Sequence, residues 1–114
     1  MSQLISLATA VDMTTLYRQD RETILANAYK NQNILPKCET FDRDVFDTVL
    51  KQNGCEGLRI YYSMDANNKV HAIIVGVNAG DEDMLTMGND VDAAIIENAR
   101  RCPDDCPPPS ALNE

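Results

Sequence analysis

Apolar residues fall in two different rhythms along this chain. Leu7, Ala10, Val11, Thr14 and Tyr17 recur at helical spacing, and Met13 and Leu16 widen the same face. Ser6 is placed as an N-cap, with Ile5 and Ala10 as a weak hydrophobic staple around it, so the pattern predicts a helix from about Leu7 to Arg18. "QDRETILANAYKN" can start a second, shorter helix capped by Asp20. "NQNILPK" reads as a loop, because Pro36 biases Leu35 away from helix. The clearest helical signal follows at 42–52. Asp42 caps it, Phe41 and Phe46 occupy the staple positions, and Val45, Phe46, Val49 and Leu50 form an apolar stripe that ends at Asn53-Gly54.

Beyond Gly57 the rhythm shortens to two. In "GLRIYYS", Leu58, Ile60 and Tyr62 point one way and Arg59, Tyr61 and Ser63 the other, as in a strand. "MDANNK" has turn composition, and "VHAIIVGV" is a near-continuous β-branched run that suits a central strand covered on both faces. Together they predict a hairpin over about 57–77. A hairpin alone is not stable in water, so a third strand, a helix or a partner chain must complete it. The 93–99 segment, with Ile95-Ile96, is the local candidate, and its pattern suits strand and short helix equally. The intervening "NAGDEDMLTMGND" reads as a loop.

The expected fold is therefore α+β, with N-terminal helices packed on one face of a small antiparallel sheet. The expected core comprises Leu7, Val11, Phe46, Val49, Leu50, Leu58, Ile60, Ile73 and Val75. Residues 1–101 form one globular domain, and 102–114 form an extended tail in which Pro107, Pro108 and Pro109 favour polyproline II.

Composition adds bounds. A chain of 114 residues supports one domain and one modest core. No stretch approaches the roughly 18–20 apolar residues of a membrane span. The opening "MSQLISLATAVDM" has no basic leader region, which points to the cytoplasm. A net charge of −8 repels phosphate backbones and anionic lipid, so neither nucleic acid nor membrane is an expected partner.

Chemistry-bearing residues are few. Of the four cysteines, Cys102 and Cys106 lie in "RRCPDDCPPPSALNE". A redox pair is disfavoured there, because Asp104 and Asp105 oppose thiolate formation. A zinc clip would need Cys102 and Cys106 with two more ligands from Cys38, Cys55 and His71, but Cys38 and Cys55 form no closely spaced pair and read by default as small buried hydrophobes. A Cys102–Cys106 disulfide is the third alternative, and free thiols are the default in a reducing compartment. His71, the single histidine, has no nucleophile placed beside it by sequence. Asp81, Glu82, Asp83, Asn89, Asp90 and Asp92 make an oxygen-rich stretch that matches no calcium loop and reads as solvated, with an acidic catalytic site at 81–92 as the weaker alternative. Arg59 reads as a surface or ion-pair residue. No motif calls for a cofactor.

"ILANAYKNQN", "GCEGLRIYYSMDANNKVHAIIVGVNAGDEDML" and "RCPDDCPPPSALN" together resemble a group of small bacterial proteins of the Bacteroidetes type. That group shares an LRIYY strand, a second strand ending in VGVNA and a terminal R-C-P-x-x-C-P-P signature. The resemblance implies a folded single domain with a Cys-Pro tail and adds no activity, ligand or catalytic residue. This chain departs from the pattern in carrying Asp104-Asp105, where a proline or an apolar residue is expected.

With no catalytic constellation, the expectation is a non-enzymatic interaction or assembly module. Its partner would be a protein or another copy of the chain, met through Arg101 and the Pro107–Pro109 run. A zinc-binding protein is the alternative.

Overall fold

The computed structural model describes residues 3–88 and 91–114. Its elements run α1 (Leu7–Asp20), a 3-10 turn (Asn27–Tyr29), β1 (Cys38–Thr40), α2 (Arg43–Leu50), β2 (Gly57–Met64), β3 (Val70–Val77), β4 (Asp83–Met84) and β5 (Arg100–Cys102). They divide into two compact units. One holds the chain up to Cys38 with Arg101–Glu114, and the other holds Glu39–Arg100. The short strands β1 and β5 form a separate two-stranded sheet.

Local signals account for both helices. Ser6 caps α1, its hydroxyl accepting from the Thr9 amide at 3.0 Å. The helix runs to Asp20, so Asp20 closes it rather than capping a second helix. The segment that follows, read as a shorter helix, has turns and the 3-10 piece instead. Phe41 and Phe46 stack with ring centroids 5.6 Å apart across the start of α2, the staple expected there. Asp42 is the N-cap residue, but its carboxylate receives Arg100 at 2.8 Å and bonds no helix amide. The helix stops at Leu50, short of the expected end, and Gly54 takes a positive φ in the turn that follows.

Helix α2 packs on a three-stranded antiparallel sheet ordered β2-β3-β4. In the hairpin, Leu58 lies opposite Gly76, Ile60 opposite Ile74 and Tyr62 opposite Ala72. The third strand is Asp83–Met84, inside the stretch read as loop. The cause is local: the Asn78 side chain accepts from the Gly80 and Glu82 amides and folds the chain straight back along β3. The 93–99 segment forms a backbone bridge to the sheet at Ile96, which exchanges both hydrogen bonds with Ile74 at 2.9 Å, and its Glu97 carboxylate lies 3.6 Å from His71 of β3.

The core of this unit is Val49, Ile74 and Ile96, with Phe41, Phe46, Cys55 and Ala94 against it. Gly76 lets the helix end come close, since a Cβ there would lie 2.9 Å from Cys55 Sγ. Of the expected core, Val49 and Val75 are buried, and Phe46, Val11 and Ile73 are partly so. Leu7, Leu50, Leu58 and Ile60 are exposed, which corrects that expectation. An eight-residue helix with Val49 in its last turn covers Ile74 and Gly76 of β3 and leaves the β2 side chains on the same face exposed.

Candidate functional site

In the first unit, Cys102 and Cys106 are joined as a disulfide with Cα atoms 4.5 Å apart. Cys102 is buried, and its carbonyl accepts from the Lys37 amide at 2.8 Å. The loop 34–36 beside it is held by side chains. Arg101 Nη2 donates to the Ile34 carbonyl at 2.8 Å, Arg21 Nη1 to Leu35 at 2.7 Å and the Tyr17 hydroxyl to Pro36 at 2.6 Å. Three consecutive carbonyls outside any helix or strand are satisfied in this way, as burial requires. Burial raises the Tyr17 pKa, against the lowering influence of Arg21 and Arg101. Arg101, expected as a docking residue, is thus bonded within its own unit. Pro107, Pro108 and Pro109 are exposed. Arg18 donates to the Leu112 carbonyl near the chain end. Sequence reasoning placed Tyr17 only on the apolar face of the first helix and did not single out Arg21. The signal available was a Pro-bounded loop with orphan carbonyls, which does not say where the donors come from.

In the second unit, His71 Nε2 lies 2.8 Å from Asp65 Oδ2, and its Nδ1 lies 3.6 Å from Glu97 Oε1. The bond to His71 holds the Asp65 carboxyl below its ordinary range, helped by the Lys69 and Asn67 amides. His71 therefore anchors the hairpin turn. Ser63 donates to the His71 backbone carbonyl at 3.2 Å, so the hydroxyl is not paired with the imidazole as a nucleophile would be. Cys55 is half-buried, its thiol 3.3 Å from the Gly57 carbonyl, and Cys38 is a free thiol as well. Among the described residues, no three His, Cys, Asp or Glu side chains are grouped so as to hold a metal.

The acidic stretch is engaged in structure. Arg59 of β2 reaches across β3 to Asp83 at 2.6 Å and also meets Asp81, and the Tyr61 hydroxyl donates to the second Asp83 oxygen. These bonds hold the Asp83 carboxyl below, and the Tyr61 phenol above, their ordinary values. Glu82 accepts from the Asn78 amide group. Asp81 and Asp83 thus form one ion-pair staple with Arg59 across the sheet, and Glu82 is held by Asn78. Asp92 is exposed, and Asn89 and Asp90 lie outside the described residues.

Two apolar surfaces stand uncovered. Along α1 no residue is buried; Leu7, Met13 and Leu16 are exposed, as is Ile24 beyond it. On β2, Leu58, Ile60, Tyr62 and Met64 are exposed in a row, Tyr62 at 79%. No protein-family model, curated protein or solved structure matches the chain. Among the described residues, no helix is long and apolar enough to cross a membrane.

Proposed function

We propose that this chain is a non-enzymatic protein-interaction or assembly module, in which a body of residues 1–101 carries the 102–114 segment as a docking element. The observation that supports it is α1, a fourteen-residue helix with no buried residue and with Met13 and Leu16 open to solvent. Contiguous exposed apolar surface of this kind marks interaction sites in water. The exposed Pro107–Pro109 run adds a segment that is ordered before binding and so loses little entropy on docking. The partner is a protein or another copy of the chain, since a net charge of −8 disfavours nucleic acid and anionic lipid.

Two variants test this: Met13→Glu with Leu16→Glu, and Pro107, Pro108 and Pro109 all replaced by Ala. Both sets of side chains are exposed, so circular dichroism should be unchanged. Capture of a partner, or self-association in sedimentation, should weaken in each. A chain that neither self-associates nor retains a partner, and whose variants behave alike, overturns the reading.

The zinc alternative requires Cys102 and Cys106 as thiolates, and the disulfide occupies both sulfurs. One stoichiometric zinc per chain by elemental analysis would favour it. Cytoplasmic residence would keep this pair reduced, whereas a persistent disulfide fits an oxidising compartment. Thiol alkylation in intact cells before lysis separates the two.

A further inference from the structure

The outer edge of β2 carries backbone groups with no partner among the described residues. In the β2-β3 ladder, Ile74 directs its amide and carbonyl away from β2 to Ile96, so the pair Ile60–Ile74 exchanges no backbone bonds. By the same alternation, Leu58, Ile60, Tyr62 and Met64 direct their amides and carbonyls outward, away from β3. Among the described residues nothing accepts from or donates to these groups on Leu58, Ile60 and Tyr62. The far side of the sheet differs. There β3 is capped along its length by β4, by Ile96 and, at Ala72, by the Glu39 carboxylate at 3.1 Å. Edge strands usually avoid pairing through a proline, an edge lysine, a bulge or short length. Strand β2 has eight residues, unbroken register with β3, and neither proline nor lysine.

We infer that two copies join by antiparallel pairing of their β2 edges about a two-fold axis at Tyr61, giving one continuous six-stranded sheet. This rests on the assembly reading above and names the surface and the partner for it. The register follows from the side chains. With the axis at Tyr61, Leu58 faces Met64 of the second copy and Ile60 faces Tyr62, so the exposed apolar row meets itself across the seam. Arg59 faces Ser63. An axis at Arg59 would instead set two like charges opposite each other, which destabilises a pair. An axis at Ile60 would leave Met64 without a partner within the strand. Arg59 is already neutralised by Asp81 and Asp83 of its own chain, so no unpaired charge enters the seam. The overall charge of −8 works against association, but screening at physiological salt confines that repulsion to about 8 Å.

The test is a cross-link. Non-hydrogen-bonded antiparallel neighbours have Cα atoms about 4.5 Å apart, inside the range a disulfide spans. Tyr61→Cys should therefore form a 61–61 intermolecular disulfide under mild oxidation, identified by peptide mapping, while Ile60→Cys should not. The unmodified chain should sediment as a dimer at micromolar concentration, and Ile60→Lys should raise the dissociation constant roughly tenfold or more, the effect of losing a central contact. If Ile60→Lys fails to fold, the cross-link still decides. A dimer in which Tyr61→Cys does not cross-link overturns the β2 seam and leaves the assembly reading standing on another face. A chain monomeric at all concentrations, with no cross-link, overturns the inference, and the assembly reading then survives only if a different protein is retained.

Discussion

The two helices of this protein are used in opposite ways. Helix α2 has eight residues, and its Val49 is completely buried; helix α1 has fourteen and buries none. Length and capping do not explain the contrast, since the longer helix has the better cap, a serine bonded to its first turn. The difference lies in what each helix faces. Helix α2 closes on a glycine of β3 and drives one apolar side chain between Ile74 and Ile96. Helix α1 spends its inward side on polar work, with Tyr17 holding the Pro36 carbonyl and Arg18 that of Leu112, while Met13 and Leu16 stay outside. One unit is organised around an apolar core, and the other around backbone carbonyls caught by side chains and a disulfide. Apolar spacing along a helix marks a face that can be buried, and not where the burial happens.

The contrast is broken most forcefully at Ile74. Truncation to Ala should cost about 2–5 kcal/mol, because the side chain is 2% exposed and belongs to the core cluster with Val49 and Ile96. Leu16→Ala, an equally apolar truncation on α1 at 59% exposure, should change stability by no more than about 0.5 kcal/mol. Denaturant melts of the two variants check this. A Leu16→Ala loss as large as that of Ile74→Ala would mean that α1 has a core of its own.

Much of the second unit was legible because its signals are local. The Phe41–Phe46 staple, the Asp42 cap position and the Leu58/Ile60/Tyr62 alternation are short-range patterns, and each appears where the residues place it. The third strand was legible too, in Asn78-Ala79-Gly80-Asp81, but an acidic, glycine-containing stretch reads first as loop, and the side-chain turn at Asn78 went unread. The core was less visible. Leu58 and Ile60 share a face with buried Ile74, yet whether that face is covered depends on how far an eight-residue helix reaches. As for the candidate sites, a separation of four permits Cys102 and Cys106 to bond, and spacing alone does not choose between thiols, disulfide and metal. Tyr17 and Arg21 find their carbonyls at separations of 19 and 14 residues, which no periodicity reports.

A smaller effect sharpens the polar side of the contrast. Tyr17→Phe keeps the ring and removes the hydroxyl that donates to Pro36. The loss should be about 1 kcal/mol, the net value of one hydrogen bond, with the exposed packing of Met13 and Leu16 unaffected. A silent Tyr17→Phe would show that the 34–36 loop is held by Arg21 and Arg101 alone.

The smallest effect concerns the ion-pair staple, and its sign follows from the direction of the shifts. The Tyr61 hydroxyl and Arg59 hold the folded-state pKa of Asp83 below the ordinary carboxylate value, which is about 3.9. Its contribution to stability is therefore fully present above that value and is lost as pH falls through the lower folded pKa. Asp65, held down by His71, acts in the same direction. Tyr61 is shifted upward by the same Asp83 bond, so its contribution is present below the ordinary phenol value and is lost only as strong alkali takes the pH through the raised one. Between these limits the staple should be insensitive to pH. Asp83→Asn should melt slightly below the unsubstituted chain at neutral pH, and the gap should close on acidification below the carboxylate range. Because the groups face solvent, the gap should also narrow with added salt. Melting temperatures of both proteins, followed from neutral to strongly acid pH at two salt concentrations, check this. Identical melts at neutral pH would mean that Asp83 supports β4 through its backbone pairing with Val77, which Asn keeps, rather than through its charge.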